Sequence, residues 1–392
     1  MLSSRTSSTR VTEPNSESGH AQHPTAAICQ GPILKTSTFP AHSIRASEAL
    51  TASWRARVSG GLGIPTVVSK NEAMTEIGRT TKLSIVGAGS VGSSLAYAAL
   101  IRGSANTIAL YDVNTAKVDA EVLDLGHGSQ YMRESNIIGG SDISCVADSD
   151  IVIVTAGARQ NPGQTRLELA GTNVEILKAL MPQLLEQAPN AIYMLVTNPC
   201  DVLTTAALKI SGLPTNRVLS SGTVLDTSRL RWLVGRKIGI SPRSVHAMMV
   251  GEHGDTEFAL WSSATIGQAP LTEWTDESGI RVFDEAAMDA LEEEVMNSAY
   301  KVIQGKGATN YAIGVAGARI VEAILGDQKA VLPVSTLLDG YHGISDIALS
   351  VPSVVGRNGV ERTLDFPMND KEEAKLHKSA EALLSVQKSL GI

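Results

Sequence analysis

Lys82-Leu83-Ser84-Ile85-Val86-Gly87-Ala88-Gly89-Ser90-Val91-Gly92 decides how the rest of the chain is read. An apolar run of strand character enters a turn containing three glycines, and an apolar helical pattern leaves it. In such a turn each glycine has its own task. Gly87 permits the tight turn, Gly89 lets the backbone approach a pyrophosphate, and Gly92 lets helix and strand pack closely. The helix opening at Ser90 and Val91 offers phosphate its first-turn N–H groups and a partial positive charge. Asp112 ends the next strand, twenty residues after Gly92. A carboxylate there accepts hydrogen bonds from both ribose hydroxyls and repels a 2′-phosphate, so the expected cofactor is NAD rather than NADP.

Outward from this turn, short apolar runs rich in β-formers alternate with helical stretches. Strands are expected at 83–86, 107–111, 151–155 and 191–196, with helices at 91–102, 116–125 and 167–187, the last interrupted by Pro182. Continuous apolar strands alternating with helices imply a parallel sheet covered on both faces. The fold class expected is α/β, a doubly wound parallel sheet of Rossmann type at 79–222, followed by an α+β substrate-binding lobe at 223–392. In that lobe helical period returns at 226–238, 284–304, 312–325 and 370–390. Segments 331–338 and 347–355 read as antiparallel strands.

Residues 1–78 differ from the remainder. They are rich in Ser, Thr, Ala and Pro, carry more Lys and Arg than Asp and Glu, and show no sustained apolar period. A disordered extension is expected. It reads as a dispensable tail, as a transit peptide, or as sequence ahead of a true start at Met74. Pro14, Pro24, Pro32 and Pro40 argue against the basic amphipathic helix that a transit peptide needs. The net charge of −7 argues against a general nucleic-acid binder, and no apolar run is long enough to span a membrane. Three scattered cysteines, Cys29, Cys145 and Cys200, suit a reducing compartment and offer neither a disulfide framework nor a metal site. A cytoplasmic location without bound metal is expected.

The chemistry gathers at Gly251-Glu252-His253-Gly254-Asp255 and at Leu225-Asp226-Thr227-Ser228-Arg229. Hydride transfer to or from a carbon–oxygen bond needs a group that exchanges the hydroxyl proton. Histidine suits this, with an ordinary pKa of about 6.5. Asp226 is the candidate carboxylate that favours the imidazolium and fixes which ring nitrogen faces the substrate. Arg229 supplies a planar fork for a substrate carboxylate, which lysine cannot reproduce.

These segments, with Thr155-Ala156-Gly157-Ala158-Arg159-Gln160, Val196-Thr197-Asn198-Pro199-Cys200-Asp201-Val202, Gly222-Thr223-Val224-Leu225-Asp226 and Tyr311-Ala312-Ile313-Gly314, occur in family order. From about 82 to 390 the chain resembles the L-lactate/malate dehydrogenase family, and within it the bacterial lactate-type members. The resemblance implies reversible hydride transfer between NADH and pyruvate to give L-lactate. It implies that His253 donates and accepts the proton with Asp226 hydrogen-bonded behind it, and that Arg229 grips the carboxylate. Arg166 would sit on a closing loop and polarise the carbonyl. Asn198 would hold the nicotinamide side near the reacting oxygen, and Thr309 would line the pocket. Thr155, Ala156 and Gly157 join the cofactor-binding set.

Gln160 decides the substrate within that resemblance. Malate dehydrogenases place an arginine at this loop position, six before Arg166, to pair a second carboxylate. A neutral amide there would leave a dicarboxylate with an unpaired buried charge, costing several kcal/mol. Malate or another L-2-hydroxy acid is the alternative substrate. The resemblance also implies a homotetramer, with Arg231 and His246 at a subunit interface that takes fructose 1,6-bisphosphate in many bacterial members. Glu292-Glu293-Glu294 and Lys371-Glu372-Glu373 read as solvated helix faces.

Overall fold

The apolar runs of the first half form strands buried on both sides. The computed structural model describes residues 80–158 and 166–392. The expected extension and Gln160 lie outside the described residues. In chain order the first half contains β1 (Lys82–Val86), α1 (Ser90–Arg102), β2 (Thr107–Tyr111), α2 (Thr115–His127), β3 (Asn136–Gly140) and β4 (Ile151–Val154). It continues with α3 (Arg166–Gln187), β5 (Ile192–Leu195), α4 (Cys200–Ser211), β6 (Val218–Ser220) and α5 (Val224–Ile238). Short strands follow: β7 (Val245–His246), β8 (Met249–Val250), β9 (Phe258–Ala259), β10 (Thr265–Ile266) and β11 (Ala269–Pro270). The chain then forms α6 (Glu285–Lys306), α7 (Tyr311–Leu325), β12 (Ala330–Leu332), β13 (Ser335–Leu337), β14 (Ala348–Ser350), β15 (Ser353–Gly356), β16 (Gly359–Thr363) and α8 (Asp370–Leu390).

The main sheet has the order β14-β13-β6-β5-β4-β1-β2-β3. From β6 to β3 all pairs are parallel, while β13 and β14 add antiparallel at the other edge. Strands from both sides of residue 222 therefore share one sheet. β1 lies between β2 and β4, the point where strand order reverses and where doubly wound sheets open a crevice at their carboxyl ends. Alternation along each strand divides the core in two. Leu83, Ile85, Ile151, Ile153 and Met194 pack under α1 and α7, whereas Val86, Val152, Val154, Tyr193 and Leu195 pack under α3 and α4. Each such side chain contributes about 1.5–3 kcal/mol by leaving water. A charge placed at Ile153 would forfeit that and strand an ion between two apolar layers.

Two expected strands each divide at a proline. Segment 331–338 becomes β12 and β13 on either side of Pro333-Val334, and segment 347–355 becomes β14 and β15 around Val351-Pro352. Proline lacks the N–H a ladder needs, so each segment serves two sheets: β13 and β14 join the main one, and β12, β15 and β16 form another. α3, by contrast, runs through Pro182 without ending. Two acids expected in solvent are buried. Glu292 accepts from the Ala259 N–H and the Trp261 indole N–H, both at 3.2 Å, and from Lys375 at 2.5 Å. Glu372 accepts from the Ser262 N–H at 2.9 Å and closes the capping box of α8 with Asn369. Both tie the segment after β9 to flanking helices, a tertiary use that charge patterning along one helix does not reveal. Among the described residues no helix is long and apolar enough to cross a membrane.

Candidate active site

The crevice beside β1 has a cradle whose shape leaves no room for side chains on one side. Gly87 has φ +107°, and a Cβ there would stand 2.7 Å from the Ala156 nitrogen. A Cβ on Gly92 would stand 1.8 Å from the Gly87 carbonyl oxygen, so helix and turn touch through backbone alone. Gly89 differs, since a Cβ there meets nothing within 4 Å. It caps α1 without any side-chain cap, and the first turn, which includes Ser90 and Val91, holds no acidic residue. An anion is therefore welcome at this helix start. Asp112 accepts from the Ala88 N–H at 2.7 Å and the Asn114 N–H at 2.9 Å, which fixes its carboxylate beside the turn. Thr155 donates to the Gly87 carbonyl at 2.9 Å and Ala156 N–H donates to Val86 at 2.9 Å, strapping the end of β4 to the turn. An open backbone approach, an acid-free helix start and a fixed carboxylate at the second strand are the features a dinucleotide requires.

From Gly157 the chain passes close to the turn after β5, where a Cβ would stand 2.3 Å from the Thr197 methyl. Thr197 donates to the Ala156 carbonyl at 2.8 Å. Asn173 on α3 accepts from Ala158 N–H at 2.7 Å and donates to the Asn198 carbonyl at 2.8 Å. Asn173 thus pins the position of Asn198, and nothing in its own stretch of sequence marks it for that task.

Asn198 lines a cavity of about 210 Å³ with Asp226, Arg229, His253, Glu257 and Tyr300, a size suited to a small acid. The first turn of α5 buries Asp226 and places Arg229 one turn later. Asp226 accepts from Arg229 Nη1 at 2.5 Å through Oδ1 and meets His253 Nδ1 at 2.7 Å through Oδ2. Gly251, at φ +94°, bonds to Ser350 of β14 in both directions and turns the chain toward α4. There His253 N–H donates to Asp201 Oδ2 at 2.8 Å. His253 is held at both its backbone N–H and its Nδ1, and the residue lines the cavity.

Burial works against a charged imidazole, but the charge and hydrogen bond of Asp226, with Asp201 adding to them, hold the His253 pKa above its ordinary value. Burial likewise opposes an ionised Asp226, yet His253 and Arg229 overcome it and keep that carboxyl below the usual range. Asp201 is buried with less compensation and is pushed up to about 6. Asp226, His253 and Glu257 also have the spacing of a metal-ligand set. Both oxygens of Asp226 are already engaged by Arg229 and His253, so the set reads as proton-handling.

The structure brings together His253, Asp226, Arg229 and Asn198. Arg166 opens α3, but its side chain lies outside the described residues, as does Gln160. Thr309 is half-buried in the link between α6 and α7 and is not among the residues lining this cavity. Arg231 Nε donates to the Ala247 carbonyl at 2.9 Å, which sets it beside the strand carrying the exposed His246. The sequence alone does not mark Asp201 or Glu257 as site residues, although Asp201 stands within a quoted motif and Glu257 four residues after His253.

A family model for the lactate/malate dehydrogenase NAD-binding domain matches residues 81–220, and one for the family's alpha/beta C-terminal domain matches 223–390. With the cradle, these two matched domains define an NAD-dependent oxidoreductase. The chain belongs to the lactate/malate dehydrogenase family. It is 50% identical over 313 residues to the L-lactate dehydrogenase of Bifidobacterium animalis subsp. lactis, covering 80% of this chain and 98% of that protein. The L-lactate dehydrogenase of Synechococcus sp. is 47% identical over 309 residues, covering 79% and 99% respectively. Among solved structures, a minor L-lactate dehydrogenase from Enterococcus mundtii superposes with TM-score 0.75 at 40% identity, covering 79% of this chain and 98% of that one. A lactate dehydrogenase from a Medee basin deep-sea metagenome library gives TM-score 0.76 at 35% identity, covering 80% and 100%.

Proposed function

We propose that this chain interconverts pyruvate and L-lactate with NAD, using His253 as the proton-exchanging group. The observation that carries this reading is Asp226, whose two oxygens hold His253 and Arg229 at one cavity wall. NAD, when bound, supplies or accepts the hydride; residues 79–222 would hold it and 223–392 would carry most of the substrate site. Gly87, Gly89 and Gly92 admit the phosphates, Asp112 takes the ribose, and Asn198 stands where the nicotinamide side meets substrate. Arg229 orients the substrate carboxylate. His253, protonated because Asp226 favours its charged form, gives the ketone oxygen its proton and takes it back in the reverse direction. Arg166 stabilises charge growing on that oxygen, and Thr309 completes the pocket.

Pyruvate is favoured over oxaloacetate because Gln160 is neutral. Steady-state NADH oxidation with each substrate tests this, and Gln160→Arg is expected to shift the preference toward oxaloacetate by about a hundredfold or more. An unchanged preference would remove Gln160 from the specificity argument. The enzyme is further proposed to be a cytoplasmic homotetramer. In it Arg231, whose guanidinium pKa is lowered by burial, and His246 would bind fructose 1,6-bisphosphate between subunits. Adding that bisphosphate should move the pyruvate saturation curve to lower concentration, and a curve that stays in place counts against the site.

A further inference from the structure

Three carboxyl groups are buried in the wall behind His253: Asp201 and Asp226, each 1% exposed, and Glu257, 4% exposed. They are not equally supplied with partners. Asp226 has a cation or imidazole on each oxygen. Asp201 accepts the His253 N–H through Oδ2, while its Oδ1 is buried without a partner. Glu257 Oε2 is buried without any hydrogen-bond partner, and no cation lies within ion-pair distance of Glu257 among the described residues. A turn in which Glu257 N–H donates to the Gly254 carbonyl brings this side chain back under the ring. There Asp226, His253 and Glu257 each place a polar atom within 4.8 Å of the other two.

Two carboxylates so close in a buried wall do not both ionise; one proton is shared by the pair. It resides on the member without a counter-charge. We propose that Glu257 is held as a neutral carboxylic acid whose O–H is directed at Asp226, making it the positioning residue of a Glu257–Asp226–His253 chain. Burial, and next the charge of Asp226, push the Glu257 carboxyl well above its ordinary range; Asp201 acts in the same direction and Arg229 against it. The groups facing Glu257 are therefore Asp226 and Arg229 from α5, Asp201 from α4, and His253 from its own loop. A neutral donor draws off part of the negative charge on Asp226, so His253 releases its proton more readily than it would beside a bare carboxylate. The proposal rests on the reading of His253 as the proton-exchanging group.

The test compares Glu257→Leu with Glu257→Gln in the full chain, reading the alkaline limb of kcat/KM for pyruvate reduction against pH. Leucine removes the donor and concentrates charge on Asp226, so the limb should move to higher pH, by about half a unit or more. Glutamine keeps a neutral donor and should bring the limb back toward its original position. Were Glu257 ionised, both changes would delete a negative charge and move the limb to lower pH, which overturns the proposal. Infrared difference spectra of the resting enzyme give a reading independent of turnover. At neutral pH the wild type should show the C=O stretch of an un-ionised carboxylic acid, sensitive to D₂O and missing from Glu257→Gln. Absence of that band overturns the proposal even if the activity assigned to the site holds.

Discussion

The cradle at Gly87–Gly92 and the cluster around His253 both manage charge, and they do so with different materials. In the cradle the working groups are main-chain N–H donors and one carboxylate pinned by two of them. Its constraints are steric, and a single methyl group decides whether they hold. The cluster uses ionisable side chains from α4, from α5 and from the loop at 251–257, and each sets the protonation of the others. A backbone site breaks when atoms are added, whereas an electrostatic site breaks when a proton or a charge is moved.

The largest expected effect lies in the cluster. His253→Gln removes the proton exchanger while leaving the cradle intact, so kcat should fall by about 10²–10⁴-fold with the KM for NADH little changed. Asp226→Asn gives the matching pH prediction. The His253 pKa stands above its ordinary value because of Asp226, and pyruvate reduction uses the protonated ring. Activity should therefore persist above about pH 6.5 in the wild type and be lost at lower pH in the variant. A limb that does not move in Asp226→Asn would separate the two residues functionally. Next in size is Gly92→Ala, whose methyl would meet the Gly87 carbonyl at 1.8 Å. Because the neighbouring atom is backbone, relief requires moving α1 or the turn. A loss of about 3 kcal/mol or more in urea unfolding is expected, together with weakened NADH binding.

The same contrast explains what could be read from the chain alone. Gly87, Gly89, Gly92 and Asp112 lie within one strand–turn–helix–strand segment, so their joint purpose is visible in consecutive letters. His253, Asp226 and Arg229 are legible because a polar histidine between glycines and an acid–arginine pair have few other uses. Glu257 and Asp201 are not, because in sequence a buried acid looks the same as an exposed one. Glu292 and Glu372 are buried against the solvent-facing expectation for the same reason. β12 to β15 depart from the two continuous strands expected because a proline between apolar residues marks a break but not which sheet each half will join. β3 (Asn136–Gly140), glycine-rich and at the sheet edge, lacks the alternation that identifies a half-buried strand.

Asp201 sharpens the comparison by a smaller amount. Its folded-state pKa of about 6 exceeds the ordinary 3.8, chiefly through burial. Between these two values the folded protein binds more protons than the unfolded chain, so this group makes stability fall as pH rises and withholds its full share above about pH 6. Asp201→Asn cannot titrate. Relative to wild type, the variant should gain on the order of 2–3 kcal/mol in urea unfolding between about pH 4 and about pH 7. Taking the difference between the two pH values cancels any fixed cost of the amide. A constant offset at all pH values would mean that Asp201 is not strained by burial.

Gly89→Ala carries the smallest expected change in stability and tests the cradle most selectively. The residue has φ −74°, which alanine adopts without strain, and its new methyl would meet nothing within 4 Å. Unfolding free energy should stay within about 1 kcal/mol of wild type, since alanine gains in the unfolded state roughly what it loses as a helix cap. That methyl enters open space at the start of α1, where a pyrophosphate would approach the backbone. The KM for NADH should therefore rise about tenfold, equivalent to about 1.4 kcal/mol, while kcat at saturating cofactor changes little. Gly92→Ala and Gly89→Ala add the same atom three residues apart. If both unfold the protein, or if neither disturbs NADH, the division between a packed side and a ligand side of this turn is wrong.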